Sequence, residues 1–137
     1  MRKFSVFIAL SSIFMIGFAS TYSYADSSIK IAEPANGATV ASPAKVCLEA
    51  NGVVVEPAKN GVNAGKGHHH LLIDADLPTD LTQPIAKDDK HVHMGDGSTC
   101  KELTLPAGKH TIRALFANGA HVPGAPALTA TVEVTVK

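Results

Sequence analysis

Apolar and polar residues alternate over several short segments of this chain, a pattern typical of β-strands with one buried face. The alternation is clearest at residues 128–137, where Val132, Val134 and Val136 are separated by polar residues. Six further segments have strand character, namely 28–33, 44–50, 53–55, 68–74, 99–105 and 109–117. Glycine and proline separate these segments, and none predicts a helix. We therefore predict an all-β protein.

The spacing of these strands predicts an immunoglobulin-like antiparallel β-sandwich. The turn Pro106-Ala107-Gly108 predicts a tight hairpin between the two strands on either side of it. Residues 75–98 interrupt the pattern, since they have the composition of a loop yet are long for a compact domain. We expect either a short edge strand near residues 83–87 or a functional loop.

The N-terminus has the three parts of a secretory signal peptide. Arg2 and Lys3 precede an apolar run over residues 4–18, and small residues then lead to a cleavage site. The run is shorter than the roughly 20 residues that span a bilayer, and no later segment is long and apolar enough to do so. We therefore expect a signal peptide at 1–25, a single sandwich domain at 26–137, a periplasmic or secreted location, and no membrane span in the mature protein.

The charge of the predicted mature part is close to balanced. Without Arg2 and Lys3, ten basic residues accompany twelve acidic ones, a net charge of −2 with neutral histidines. This balance gives no electrostatic reason to expect nucleic acid or an anionic membrane as a partner. Cys47 and Cys100 both lie in this part, and exported chains with an even number of cysteines usually pair them. We expect a Cys47–Cys100 disulfide.

Histidine carries the candidate chemistry, because neutral imidazole is the commonest metal ligand in proteins. Residues two apart on a strand share a face, so His68 with His70, and His91 with His93, can each chelate an ion. The candidate metal ligands are His68, His70, His91, His93, Met94 and His121. A nitrogen-rich site favours copper or zinc, and the methionine thioether suits Cu(I). We expect one of these metals and no organic cofactor.

The sandwich topology predicts that these histidines meet at one pole. The strand that contains His68 is expected to run antiparallel beside the strand that precedes His121, so the two residues lie at the same end. The predicted hairpin brings the segment around His93 to that end as well. We expect His110 at the opposite end, and we assign structural roles to it and to His69.

Four sequence motifs are distinctive. They are Gly67-His68-His69-His70-Leu71-Leu72-Ile73-Asp74, His91-Val92-His93-Met94-Gly95-Asp96-Gly97, Leu103-Thr104-Leu105-Pro106-Ala107-Gly108-Lys109-His110-Thr111-Ile112 and His121-Val122-Pro123. Together they resemble an uncharacterised family of exported bacterial domains, over most of residues 60–137. The resemblance implies export and a β-rich fold, with no established activity.

This sequence departs from the family pattern at two places. Family members tend to have Gly-Gln-Thr-Glu where this chain has Gly97-Ser98-Thr99-Cys100, so a disulfide at Cys100 belongs to a subset of the family. Many family members also have a histidine at the position of Gly124, so this chain lacks one potential ligand in that loop.

The histidine pole has three possible interpretations. In the first, the pole binds copper or zinc, and the protein sequesters or delivers the ion in the cell envelope. Alternatively, this is a non-enzymatic structural module whose buried histidines stabilise the long loop at residues 75–98, since buried polar groups need partners. The third interpretation is a module that binds an envelope protein or another partner there, although the loops at 75–98 and 118–127 lack the aromatic side chains that anchor most interfaces. The chain also lacks the common catalytic motifs, so we expect no enzyme.

Overall fold

The computed structural model describes residues 24–137 and contains nine β-strands. They are β1 (Ser28–Glu33), β2 (Thr39–Val40), β3 (Ala44–Asn51), β4 (Val54–Val55), β5 (Lys66–Ile73), β6 (His91–His93), β7 (Cys100–Leu103), β8 (Gly108–Ala117) and β9 (Thr129–Val136). A single 3-10 turn covers Ala58–Asn60. In this described part, no helix is long and apolar enough to cross a membrane.

The strands form two sheets. One has the order β1-β3-β7, and the other has the order β2-β9-β8-β5-β4, with β6 also paired to β5. Most neighbours are antiparallel, and the short strands β2 and β4 run parallel to their partners. The predicted all-β sandwich is confirmed, and its sheets resemble those of the immunoglobulin fold in that β1, β3 and β7 form one sheet while β5, β8 and β9 lie together in the other.

The predicted hairpin at Pro106 is wrong. β7 pairs with β3 in the smaller sheet, with Ala44 opposite Leu103, whereas β8 pairs with β5 and β9 in the larger sheet. The backbone N–H of Leu105 donates to Oγ of Ser42 at 3.1 Å, so the residues that follow β7 stay beside the start of β3 in the smaller sheet. The turn at Pro106 therefore connects β7 in the smaller sheet to β8 in the larger sheet.

The Cys47–Cys100 disulfide is confirmed and joins the directly opposed residues of β3 and β7. Both strands belong to the smaller sheet. The bond therefore fixes β7, which begins directly after the long segment at residues 75–98, to β3.

The strand in the long segment at residues 75–98 is β6, at His91–His93, and not at the predicted position near residues 83–87. Ile85 is nevertheless buried, and it packs with Leu72, Leu115 and Ala117. Because side chains alternate between the faces of a sheet, these three strand residues lie on the outer face of the larger sheet. The segment thus covers that face.

The main core lies between the sheets, because it contains side chains from both. Phe116 is fully buried there, and its ring contacts that of Tyr24 at a centroid distance of 5.9 Å. The predicted signal peptide at 1–25 lies almost wholly outside the described residues, but its last two residues are described. Cleavage after Ala25 would remove Tyr24 from this core.

Candidate metal site

Two strands of the larger sheet place three histidines on one face. In the register of β5 with β6, His70 lies opposite His93, and His68 lies two residues before His70 on β5. Side chains two apart on a strand share a face, so all three rings project from the outer face of the sheet. His69 lies between them in sequence and points inward, where its ring contacts Phe116.

The three rings meet through their Nε2 atoms. The Nε2 atoms of His68 and His70 are 3.1 Å apart, and those of His68 and His93 are also 3.1 Å apart. All three residues offer ligand atoms within 4.8 Å of one another. Tetrahedral zinc with Zn–N bonds of about 2.0–2.1 Å places its nitrogens about 3.3–3.4 Å apart. The spacing in this three-histidine group (His68, His70 and His93) is therefore close to that of a metal-bound set.

A fourth ring, that of His121, lies beside the group. Its Nε2 is 3.2 Å from Nε2 of His93, and its ring centroid is 4.9 Å from that of His68. His121 has a positive φ of 66° within a tight turn, and the side-chain oxygen of Asn118 accepts hydrogen bonds from the backbone N–H groups of Ala120 and Val122. Asn118 thus orders the turn that presents the fourth ring.

Burial keeps the inner rings neutral. Burial, and then repulsion from the neighbouring rings, lowers the pKa of His68 to about 4 and that of His70 to about 2. The pKa of His93 is also lowered, first by burial and then by the charges of His121 and Lys87. Only neutral imidazole has a lone pair to donate to a metal, so these rings can act as ligands without first losing a proton.

Two glycines make room for the group. A Cβ at Gly95 would overlap the ring of His93, so only glycine permits the observed ring position. A Cβ at Gly67 would meet the carbonyl oxygen of Ala117, so glycine also permits the close approach of β5 to β8 directly before His68.

His91 shares the outer face but lies apart from the three-histidine group. It pairs with Leu72 rather than with a histidine, and its Nδ1 donates to Oδ1 of Asp88 at 2.6 Å. Its side chain is 14 % exposed and lines an open cleft of about 230 Å³ together with His70, His93 and His121. His91 is therefore a neighbour of the group that lines the same cleft.

The remaining predicted residues have other surroundings. Met94 is 1 % exposed and packs in the main core, since it follows His93 and points to the inner face. His69 is also fully buried, and neither of its ring nitrogens has a hydrogen-bond partner among the described residues. His110 lies at the far end of β8, as expected, where Nδ1 donates to Asp74 at 2.7 Å and Nε2 donates to the carbonyl of Pro106 at 2.8 Å. These three side chains are therefore placed outside the group.

Sequence reasoning did not identify Asp88, Gly95 or Asn118 as parts of the site. Asp88 stands three residues before His91, a spacing that a turn can close, and Gly95 stands two residues after His93. Asn118 precedes a glycine in a turn, which is the usual place for a side chain that bonds to nearby backbone. These spacings are common in loops, so they became informative only with the fold.

Comparisons with known proteins identify a family but no characterised relative. No curated protein and no solved structure matched the chain. A family model matched residues 46–137, which include β5, β6 and the turn that carries His121. The chain therefore belongs to the family described as Domain of unknown function (DUF4399).

Proposed function

We propose that this is an exported, non-enzymatic protein that binds one divalent ion of copper or zinc through His68, His70 and His93. Its role is to sequester or deliver that ion in the cell envelope. The observation that carries the proposal is the convergence of three Nε2 atoms, with neighbouring atoms 3.1 Å apart, on a rigid pair of strands.

The ligand type favours these metals. The three-histidine group holds only imidazole nitrogens, and imidazole suits copper and zinc, whereas magnesium and calcium prefer oxygen ligands. In the Irving–Williams order copper binds such a site more tightly than zinc. His121 lies beside these three ligands, with its Nε2 3.2 Å from Nε2 of His93, and lines the open cleft.

The surroundings favour tight binding. His68 and His70 are 0 % and 3 % exposed, and their lowered pKa values keep them neutral. A set of ligands that is already in place loses little conformational entropy when the ion binds. The disulfide supports the proposed export, since disulfides persist mainly in oxidising compartments.

Calorimetric titration of the purified exported protein with Zn(II) and with Cu(II) tests the proposal. We expect one ion per chain with a submicromolar dissociation constant. Changing His68, His70 and His93 together to Gln should abolish binding, because the amide is a poor ligand for these metals. His110→Gln is the matched control, since it removes a histidine at the opposite end and should leave binding intact. No binding by the wild-type protein, or undiminished binding by a folded triple variant, overturns the proposal.

A structural role is the second candidate, favoured by one contact. The backbone N–H of Ile85 donates to the carbonyl of His121 at 2.9 Å, so the long loop and the fourth ring hold each other. In this alternative the close ring nitrogens share protons instead of a metal. It predicts that the wild-type protein binds neither ion and that the triple Gln variant loses stability in metal-free buffer.

A further inference from the structure

The three-histidine group is open on one side only. His68 and His70 are buried, whereas His93 is exposed and His121 is partly exposed. The cleft of about 230 Å³ lies on this open side, between the rings and the loop residues 84–87. An ion held by three protein ligands keeps a coordination position free, and here that position would face the cleft.

Besides two rings of the group and that of His121, the cleft is lined by two polar side chains, Lys87 and His91, and by Pro84, Ile85 and Ala86. Lys87 lines it and acts on His93 electrostatically. His91 lines it as well, and its Nδ1–H donates to Asp88, so Nε2 of the neutral ring can accept a hydrogen bond from a bound molecule. Two polar groups therefore face the open side of the metal position.

The charge balance calls for an anion. Three neutral imidazoles leave both positive charges of a divalent ion uncompensated, and Lys87 adds another nearby. The carboxylate of Asp88 is already engaged by the ring of His91 and by the backbone N–H of Lys90 at 2.9 Å. That of Asp96 acts on His93 electrostatically, but it accepts a hydrogen bond from the backbone N–H of Ser98 at 3.0 Å and does not line the cleft. The cleft is also smaller than the roughly 300–1,000 Å³ of sites for drug-sized ligands, which restricts the occupant to a small molecule.

We propose that this cleft binds a small oxyanion, which supplies an oxygen ligand to the metal, pairs with Lys87 and, where it has a hydroxyl group, donates a hydrogen bond to Nε2 of His91. The proposal rests on the proposed metal-binding function and extends it, because it makes the protein a receptor for a metal–anion pair. Carboxylates and phosphates both supply a charged oxygen, and hydrogen phosphate also has a hydroxyl group, so the experiment below separates them.

Visible absorption of the Co(II)-loaded exported protein measures this directly, because the ligand-field bands of cobalt respond to a change of ligand. Inorganic phosphate and acetate are titrated separately. We expect saturable spectral changes, and the probe with the lower dissociation constant identifies the preferred class. Lys87→Met should weaken the binding of both anions at least tenfold, and His91→Gln should weaken that of phosphate, while neither variant changes Co(II) affinity. Lys109→Met, at the opposite end of the sandwich beside His110, is the control and should change neither.

The outcomes separate the two proposals. If Co(II) binds through the three histidines but neither anion alters the spectrum, the anion site is wrong and the metal site stands. Anion effects that persist unchanged in Lys87→Met and His91→Gln also overturn the anion site. If no metal binds to the wild-type protein, both proposals are overturned.

Discussion

The Nε2 atoms of His68 and His93 lie 3.1 Å apart, although 25 positions separate the two residues in the sequence. The pairing of β6 with β5 produces this contact, because it sets His93 opposite His70, two residues from His68. His68 also contacts His70 at the same distance, which makes its Nε2 the centre of the group. The candidate metal site is thus a consequence of sheet register.

Gly95→Ala should weaken metal binding without removing any ligand. The added methyl group would overlap the ring of His93, so the ring must leave its position next to His68. We expect at least a tenfold loss in Zn(II) affinity, since displacing one of three ligands costs on the order of 1.4 kcal/mol or more. Calorimetric titration of wild-type and variant protein measures the change.

Gly37→Ala is the control for this variant. Gly37 has a positive φ of 82°, and a Cβ there meets nothing within 4 Å. The substitution should reduce stability by about 1 kcal/mol through backbone strain alone. Zn(II) affinity should remain at the wild-type value in this control. Equal affinities in Gly95→Ala and wild type would show that His93 is not a ligand.

The strand pattern and the histidine spacing made much of this structure predictable. Alternation identified the long strands, and the rule that residues two apart share a face paired His68 with His70. The antiparallel pairing of β5 and β8 then placed His68 at the end where His121 follows, and His110 at the other. The first two inferences depend on short-range periodicity, which sequence records directly, whereas the last depends on the immunoglobulin-like topology that the strand spacing predicted.

Sheet membership was not predictable from the same signals. A Pro-Ala-Gly turn at residues 106–108 fits a hairpin and a crossover equally well, and the choice depends on which strand β7 meets. The convergence of His93 with His68 was therefore predicted correctly, but from a hairpin that does not exist. The two residues meet because β6 pairs with β5, and β6 has only three residues, too few to show alternation. Met94 was a candidate ligand by chemistry, but the face on which it lies depends on this same strand.

The metal-free protein should lose stability as the pH falls below about 6.5. An unfolded histidine has an ordinary pKa near 6.5, while folding lowers that of His68 to about 4. Between these values the unfolded chain binds a proton that the folded chain does not, so stability rises with pH by up to about 1.4 kcal/mol per unit for each such ring. Denaturant unfolding at pH values from about 7 to 5 measures the slope.

A single-ring variant checks the origin of this slope. His70 has a pKa lowered to about 2, so His70→Gln should make the dependence of stability on pH less steep. The same acid sensitivity in wild type and His70→Gln would contradict the assignment of the slope to this ring.

Saturating Zn(II) should add stability to the wild-type protein near pH 7, about 2.7 kcal/mol at one hundred times the dissociation constant.

Removing the disulfide should lower stability without affecting the metal. A bond between residues 53 positions apart restricts the unfolded chain by about 4 kcal/mol in the loop-entropy treatment. It joins β3 to β7 in the smaller sheet, whereas the ligands lie on the larger one. We expect a double variant, Cys47→Ala with Cys100→Ala, to unfold at lower denaturant concentration. Its Zn(II) affinity, measured where it remains folded, should equal that of the wild type.

Asp74→Asn should reduce stability in a pH-dependent way at the end of the sandwich opposite the candidate site. The carboxylate accepts hydrogen bonds from Nδ1 of His110 at 2.7 Å and from the backbone N–H of Thr111 at 2.8 Å. The hydrogen bond that His110 donates to Asp74, followed by the one that it donates to the carbonyl of Pro106, raises the pKa of His110. Partial burial raises the pKa of Asp74, but its bonds to His110 and Thr111 outweigh that effect, so the net change is downward.

The sign of the pH dependence follows from these two shifts. The contribution of His110 is fully present below pH 6.5 and is lost as the pH rises through its raised pKa, while that of Asp74 is lost only in acid, below pH 3.8. Asp74 is 43 % exposed, so we expect a cost of about 1 kcal/mol near pH 5.5 and a smaller one near pH 8.5. Asparagine tolerates the positive φ of 51° at this position, which isolates the effect of charge. Denaturant unfolding at both pH values measures the difference, and an equal cost at the two would show that the ion pair with His110 does not contribute.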